Sequence, residues 1–252
     1  MPGAAHNRPQ DLELGSGPNG CFLIHGFAGT TEDVRELATF LANHGYRVSA
    51  KLLAGHGTSI EECNLVRAED WLEELEYHFT EFLLEQETTF VIGLEMGAAL
   101  ALHLAALYPV AGVVAISLEL GGRRAHPSWL LSLLAPFTST VARSEPGSGQ
   151  GSRRTPFNGY DRYPIKGLRA MFRLNRHVRA ELHQVTAPTL LMQSNGYGGK
   201  TQAAAQLVLN TLPARHKRLQ IYASENAHST NGPGRAKVQA DILDFLMSHT
   251  AA

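Results

Sequence analysis

The heptapeptide Val91-Ile-Gly-Leu-Glu-Met-Gly97 decides the fold. Its first half continues an apolar run from Thr89 that is typical of a buried strand. Its second half opens an apolar segment, Met96 to Tyr108, that is typical of a buried helix. The two glycines bracket Glu95 and let the chain turn sharply from strand to helix. We therefore predict a strand joined directly to a helix, with Glu95 at the junction.

The rest of the chain repeats this alternation of short apolar runs with helical patterns. Cys21 to Ile24 is a predicted strand, and apolar residues then recur at helical spacing until Gly45. Such alternation is typical of an α/β protein with a mostly parallel central sheet and helices on both faces. Between residues 121 and 186 it gives way to Gly, Ser and Pro clusters. We predict one domain, 1–252, with a helical cap insertion at 121–186.

Composition narrows the classes of partner. The chain has 252 residues and a formal charge of −1, so it gives no global reason to bind nucleic acid. Cys21 and Cys63 are too few for a disulfide framework, and no apolar stretch is long enough to span a membrane. We expect a cytoplasmic protein that binds a small molecule and needs no cofactor. No two His or Cys residues have helical or turn spacing suited to zinc, so no metal site is expected. Nothing indicates the oligomeric state.

Several motifs carry a family resemblance. They are His25-Gly-Phe-Ala-Gly-Thr-Thr-Glu-Asp-Val-Arg-Glu-Leu37, Leu53-Ala-Gly-His-Gly57, Asp70-Trp71 and Ala187-Pro-Thr-Leu-Leu191. Together with the glycine-flanked junction at residue 95, they resemble the bacterial carboxylesterase and monoacylglycerol lipase branch of the α/β-hydrolases. The resemblance covers nearly the whole chain except the cap. It implies the α/β-hydrolase fold and hydrolysis of lipid or small-acid esters.

The same resemblance implies positions for the catalytic groups, and two of these are altered. The junction has the frame of a nucleophile elbow, G-x-S-x-G, but Glu95 stands at the serine position. His228 matches the catalytic base, and the backbone N–H groups of Phe27 and Met96 match an oxyanion hole. Tyr197 is the best match to the missing aspartate, and a neutral tyrosine cannot stabilise an imidazolium. Ordinary serine-esterase chemistry is therefore not expected.

Glu119 offers a replacement for the missing acid. It follows a predicted strand, 112–118, where haloalkane dehalogenases, which share this fold, sometimes place their acid. Glu119 could orient His228 from that side, or it could be a surface residue at the base of the cap.

Three interpretations of Glu95 remain open. As a carboxylate nucleophile it would form an ester with the substrate, which His228-activated water would hydrolyse; its extra methylene relative to aspartate is the difficulty. As a general base or substrate anchor it would form no covalent intermediate. The start of a helix favours its charged form in both cases. In the third interpretation the chain is a catalytically silent pseudo-hydrolase that binds a small ligand or a protein partner.

The cap region supplies the remaining expectations. It holds eleven Lys or Arg against three acidic residues, and its arginines recur along one predicted helix, a spacing that favours a solvated face. An apolar patch from Trp129 to Phe137 is expected to line a pocket for a partly apolar substrate. His25 and Tyr197 are the other candidate substrate contacts, although His25 is equally suited to bracing a loop.

Overall fold

A seven-stranded sheet forms the centre of this computed structural model, which describes residues 10–120, 138–142, 159–194, 199–222 and 234–250. The strands are β1 Leu12–Leu14, β2 Asn19–Ile24, β3 Arg47–Ala50, β4 Thr88–Leu94, β5 Gly112–Ile116, β8 Thr189–Ser194 and β9 Lys217–Tyr222. Their order in the sheet is β1-β3-β2-β4-β5-β8-β9, and only β1 runs antiparallel to its neighbour. A separate hairpin pairs β6 Thr140–Ala142 with β7 Arg162–Pro164. The predicted mostly parallel α/β architecture is confirmed.

Helices cover both faces of this sheet. They are α1 Glu32–Asn43, α2 Ile60–Cys63, α3 Ala68–Leu84, α4 Met96–Leu107, α5 Ile165–Glu181, α6 Gly199–Thr211 and α7 Arg235–His249, with a 3₁₀ turn at Leu182–Gln184. Alternate residues of a strand point to opposite faces of the sheet. In β4, Val91 therefore packs in the apolar cluster under α3, α4 and α5. Its neighbours Phe90 and Ile92 pack in the cluster under α1 and α7. Two apolar cores, one on each face, hold the layers together.

Helix α4 is buried almost all round, as its apolar sequence predicts. Its residues from Met96 to Ala105 are all buried, and His103 is their only polar side chain. Four alanines in that segment keep the helix thin enough to pack against β4, β5 and α5 at once. A helix that is apolar on every side is stable only inside a core, so the segment after Glu95 is firmly anchored.

The described part of the predicted cap does not stand apart from the body. Helix α5 buries Ile165, Ala170, Leu174 and Val178, and the last three pack in the same cluster as α4. Of the four arginines predicted to form a solvated face, those at 173, 176 and 179 are exposed on the opposite side, whereas Arg169 is half-buried. Residues 121–137 and 143–158 lie outside the described residues, so the limits of the insertion stay a prediction.

Among the described helices, none combines the length and the hydropathy that crossing a bilayer requires.

Candidate active site

The candidate site lies where the strand order of the sheet reverses. From β2 the chain moves to β3 on one side, and it then returns to β4 and β5 on the other. Loops that follow neighbouring parallel strands diverge at such a point and leave a crevice at their carboxyl ends. The segment from His25 to Ala28 follows β2, and Glu95 follows β4, so these residues share the crevice.

The bend at Glu95 is as tight as its glycines predict. Glu95 has φ 54° and ψ −110°, and its N–H donates to Ile116 O at 2.9 Å. A Cβ at Gly93 would overlap the carbonyl of Gly97, and a Cβ at Gly97 would overlap that of Ile24. Since these neighbours are backbone atoms, only glycine fits at both positions. The strand therefore passes into α4 through one strained residue, residue 95.

Left-handed backbone marks this edge of the sheet more widely. Among the described residues, the non-glycine residues with positive φ are Ala28 after β2, Glu95 after β4 and Ser117 after β5. Each costs roughly 1–3 kcal/mol and persists only where its surroundings hold it. Ser117 also ends β5 at Ile116, two residues before the predicted end, because its left-handed backbone breaks the strand geometry.

The side chain of Glu95 lies against the loop after β2. It is half-buried, and a methyl group added at Gly26 would come within 2.6 Å of Glu95 Oε2. The absence of a side chain at Gly26 is what allows the carboxylate to approach this loop. The carboxylate is thereby placed beside the segment that leads to Phe27.

The backbone N–H groups predicted to form an oxyanion hole belong to Phe27, in the loop after β2, and to Met96, the first residue of α4. Within the described ranges, neither of their backbone N–H groups donates a hydrogen bond to another residue. The Phe27 ring is buried and packs edge-on against His56 and Trp71, with ring centroids 5.9 and 6.1 Å apart. This packing holds the loop in place, so the Phe27 amide has a fixed position next to the elbow.

His25 and His56 form a buried pair behind this loop. His25 is 1% exposed; its Nε2 accepts from Leu53 N–H at 3.1 Å and its Nδ1–H donates to Gly26 O at 2.9 Å. Desolvation, helped by the nearby His56, lowers the pKa of His25 to about 3, and desolvation lowers the pKa of His56 to about 4. Neither nitrogen of His25 is left to hydrogen-bond a substrate, which favours the bracing role over the substrate-binding one.

Glu119 lies just beyond β5, the strand next to the elbow strand. Side chains from two other elements fix its backbone: Asn175 Nδ2 on α5 donates to Glu119 O at 2.9 Å, and Gln193 Nε2 on β8 donates to Leu118 O at 3.0 Å. The side chain keeps solvent contact, yet desolvation by surrounding protein raises the pKa of its carboxyl. The backbone of Glu119 is thus held at the same edge of the sheet as Glu95, while its side chain is exposed. Whether it orients His228 stays a prediction.

Three predicted site residues, Trp129, Tyr197 and His228, lie outside the described residues, so their roles stay predictions. Sequence reasoning missed Asn175 and Gln193. A polar residue directly after Leu174, on the apolar face of α5, was the available signal for Asn175. It also missed a His–carboxylate pair with helical spacing, His177 and Glu181, because the spacing of His and Cys residues alone carries no information about such a mixed pair.

Known proteins resemble this chain in both sequence and fold. The family model Hydrolase_4, described as "Serine aminopeptidase, S33", matches residues 19–230. A thermostable monoacylglycerol lipase from Bacillus sp. (strain H-257) is 30% identical over 93% of this chain and 92% of its own length. A carboxylesterase from Bacillus subtilis (strain 168) is 24% identical, with coverage of 94% and 96%. A structure from work on the metagenome-derived lipolytic enzymes LipS and LipT superposes with a TM-score of 0.84 at 22% identity, covering 96% of this chain and 99% of that chain.

Proposed function

The chain belongs to the Hydrolase_4 family of α/β-hydrolases, and we propose that it hydrolyses small, partly apolar esters or lactones through an atypical site formed by Glu95 and His228. In this proposal Glu95 replaces the nucleophilic serine. The substrate class rests on the relatives, which are named as a monoacylglycerol lipase and a carboxylesterase. The apolar patch at Trp129 would receive the acyl or ring part of the substrate.

The strained bend at Glu95 is the observation that carries this proposal. A left-handed residue at this position costs roughly 1–3 kcal/mol, and the bend also requires glycine at 93 and 97. A binding pocket alone does not need that strain, since its walls can be built from relaxed backbone. The bend instead supports a role in which the side chain of residue 95 must be held at one point in the crevice.

A general-base mechanism fits this carboxylate better than covalent attack. Attack by Glu95 on an ester carbonyl would form an anhydride, a less stable species than the ester it replaces. Removal of a proton from water avoids that intermediate: water oxygen bonds to the carbonyl carbon, Glu95 takes the proton, and the C–O bond to the leaving group breaks. The imidazole of His228, protonated before the reaction, would donate its proton to the leaving oxygen, and the proton held by Glu95 would then pass to His228 and restore both groups.

The remaining groups would support the developing negative charge. The Phe27 and Met96 amides would donate to the carbonyl oxygen as it becomes an oxyanion, an interaction worth about 10²–10³-fold in rate for one donor. Glu119 would hold the imidazole of His228 from the adjacent strand end. Asn175 and Gln193 would then act as positioning residues, because they fix the backbone on which Glu119 is mounted.

Substitution of Glu95 tests the proposal directly. Hydrolysis of p-nitrophenyl butyrate, a glycerol monoester and a γ-lactone is to be measured for the wild-type chain and Glu95→Gln. Loss of a general base should lower kcat/KM by about 10²–10⁴-fold. Glu73→Gln, which neutralises an exposed glutamate on α3, is the matched control and should retain wild-type rates.

Two further measurements separate the alternatives. A mass increase on Glu95 in His228→Ala after incubation with substrate would show that Glu95 acts as a covalent nucleophile and not as a general base. If the wild-type chain turns over none of these substrates while Glu95→Ser gains ester hydrolysis, the pseudo-hydrolase interpretation replaces the proposal. Equal rates for the wild type and Glu95→Gln would remove Glu95 from the mechanism.

A further inference from the structure

We infer that His103, His177 and Glu181 form a binding site for a divalent transition metal, with Zn²⁺ as the best match. His103 projects from α4, and the other two residues project from α5. One ligand atom from each lies within 4.8 Å of the others. The site is built between helices and uses none of the residues assigned above to the reaction.

The three side chains are arranged around one carboxylate. Glu181 Oε2 lies 2.7 Å from His103 Nδ1, and Glu181 Oε1 lies 3.0 Å from His177 Nε2. Tetrahedral zinc with bonds of about 2.0–2.2 Å separates neighbouring ligand atoms by roughly 3.3 Å. An ion therefore needs the two hydrogen-bonded pairs, now 2.7 and 3.0 Å apart, to separate by roughly 0.6 and 0.3 Å. The two imidazole nitrogens, which lie within 4.8 Å of each other, would approach the same spacing.

His103 is already oriented as metal-binding histidines usually are. Its Nε2 lies 3.2 Å from Glu76 Oε1, and Glu76 Oε2 accepts a hydrogen bond from Tyr108 OH at 3.1 Å. With an ion bound, a proton on Nε2 would donate to Glu76, and the lone pair of Nδ1 would face the ion in place of its present hydrogen bond with Glu181. Carboxylate partners of this kind fix the tautomer and the ring direction of a metal ligand and make it more basic.

The ion can reach this site from solvent. The His103 side chain is 2% exposed and that of Glu181 is 15% exposed, whereas the His177 side chain is 52% exposed. An ion would enter on the His177 side and keep water at its fourth position. Two imidazoles with one carboxylate suit Zn²⁺, whereas Ca²⁺ and Mg²⁺ prefer oxygen ligands only.

Helical spacing explains how α5 presents two ligands together. Residues four apart lie on the same side of a helix, so His177 and Glu181 both face α4 beside Val178 and Leu174. The buried apolar contacts of those neighbours fix the distance between the two helices. A bound ion would join α4, which begins at the elbow, to α5, which carries Asn175.

Co²⁺ binding provides the test, because four-coordinate Co²⁺ has a visible absorption band. The full-length chain, freed of metal with EDTA, is to be titrated with Co²⁺ and then with competing Zn²⁺. The wild type should develop the band with one equivalent and lose it to Zn²⁺. His177→Gln and Glu181→Gln should each weaken Co²⁺ binding on the order of 100-fold or more, and Glu76→Gln about 10–100-fold.

His78→Gln is the matched control. His78 also sits on a helix with a carboxylate nearby, Glu81 Oε2 at 3.8 Å from His78 Nδ1, but the described residues provide no third ligand beside it. Its removal should leave the Co²⁺ titration unchanged. If His177→Gln and Glu181→Gln bind Co²⁺ as tightly as the wild type, any metal lies elsewhere and the inference fails. It fails equally if the wild type shows no band and Zn²⁺ does not raise its melting temperature.

Discussion

Two buried histidine environments in this molecule differ in what they contact. His25 and His56 behind the elbow are each 1% exposed, and three of their four ring nitrogens contact backbone groups. Among the described residues, the fourth, His56 Nε2, has no hydrogen-bond partner. His103 between α4 and α5 is 2% exposed, and both of its ring nitrogens face carboxylates. The two environments are thus almost equally buried, but one offers backbone groups to the imidazole and the other offers carboxylates. The partners, rather than burial, decide whether a histidine braces a loop or offers a ligand.

The surrounding backbone explains the difference. Loops at the end of a sheet have N–H and C=O groups that no ladder satisfies, so a buried imidazole there serves those groups. Helices satisfy their own backbone, so a polar side chain between them must find side-chain partners instead. At the edge of the sheet, buried polar side chains therefore pair with backbone groups, whereas between the helices they pair with other side chains. Substitutions in each region should reveal that contrast.

The largest effect is expected from Gly93→Ala at the edge of the sheet. The added methyl group would overlap the carbonyl of Gly97, which cannot retreat because it belongs to the start of α4. We expect a loss of at least about 3 kcal/mol in the free energy of unfolding, measured by urea denaturation. Gly45→Ala is the control: it meets no atom within 4 Å, and its positive φ should cost only about 1–2 kcal/mol. Equal losses in the two variants would contradict the steric argument.

A smaller effect should follow from lowering the pH. The pKa values of His25 and His56 in the folded chain, about 3 and about 4, lie below their ordinary value of 6.5. The unfolded chain therefore binds more protons as the pH falls from about 6.5 toward 4, and the free energy of unfolding decreases over that range. At about pH 5 each residue should account for about 2 kcal/mol of this loss.

His56→Gln isolates one half of that dependence. Urea denaturation at about pH 7 and about pH 5 should show a loss smaller by about 2 kcal/mol than in the wild type. His44→Gln, which removes an exposed histidine, should leave the wild-type pH dependence in place. A His56→Gln chain as sensitive to acid as the wild type would show that this buried ring does not resist protonation.

The smallest effect is expected in the layer between the helices. Tyr108→Phe removes the hydrogen bond to Glu76 Oε2 but leaves the contact between Glu76 and His103 intact. The free energy of unfolding should fall by about 0.5–1.5 kcal/mol. Tyr77→Phe removes a similar bond, to Glu81 at 2.8 Å, from an exposed surface and should cost less. A larger loss for Tyr77→Phe would show that the hydrogen bonds joining Tyr108, Glu76 and His103 stabilise the fold no more than an exposed hydrogen bond does.

The fold was predictable wherever the pattern is local. The junction at Glu95 was located to the residue, because the change from strand to helix and the two glycines stand together in the sequence. The prediction that the Phe27 and Met96 amides form an oxyanion hole rests on the same local motifs and stays a prediction. By contrast, Asn175 meets Glu119, and His103 meets Glu181, only through the packing of α5 on the sheet and on α4. Such contacts join distant segments, and periodicity carries no information about them.

The strained turn at residue 95 has a consequence for how this protein could acquire other chemistries. Its shape depends on Gly93, Gly97 and the backbone of β2, and the identity of the side chain that it presents plays no part in those contacts. Serine, cysteine or aspartate introduced there would inherit the same mounting and point into the same crevice. The side chain at residue 95 can therefore be exchanged without altering the backbone that orients it.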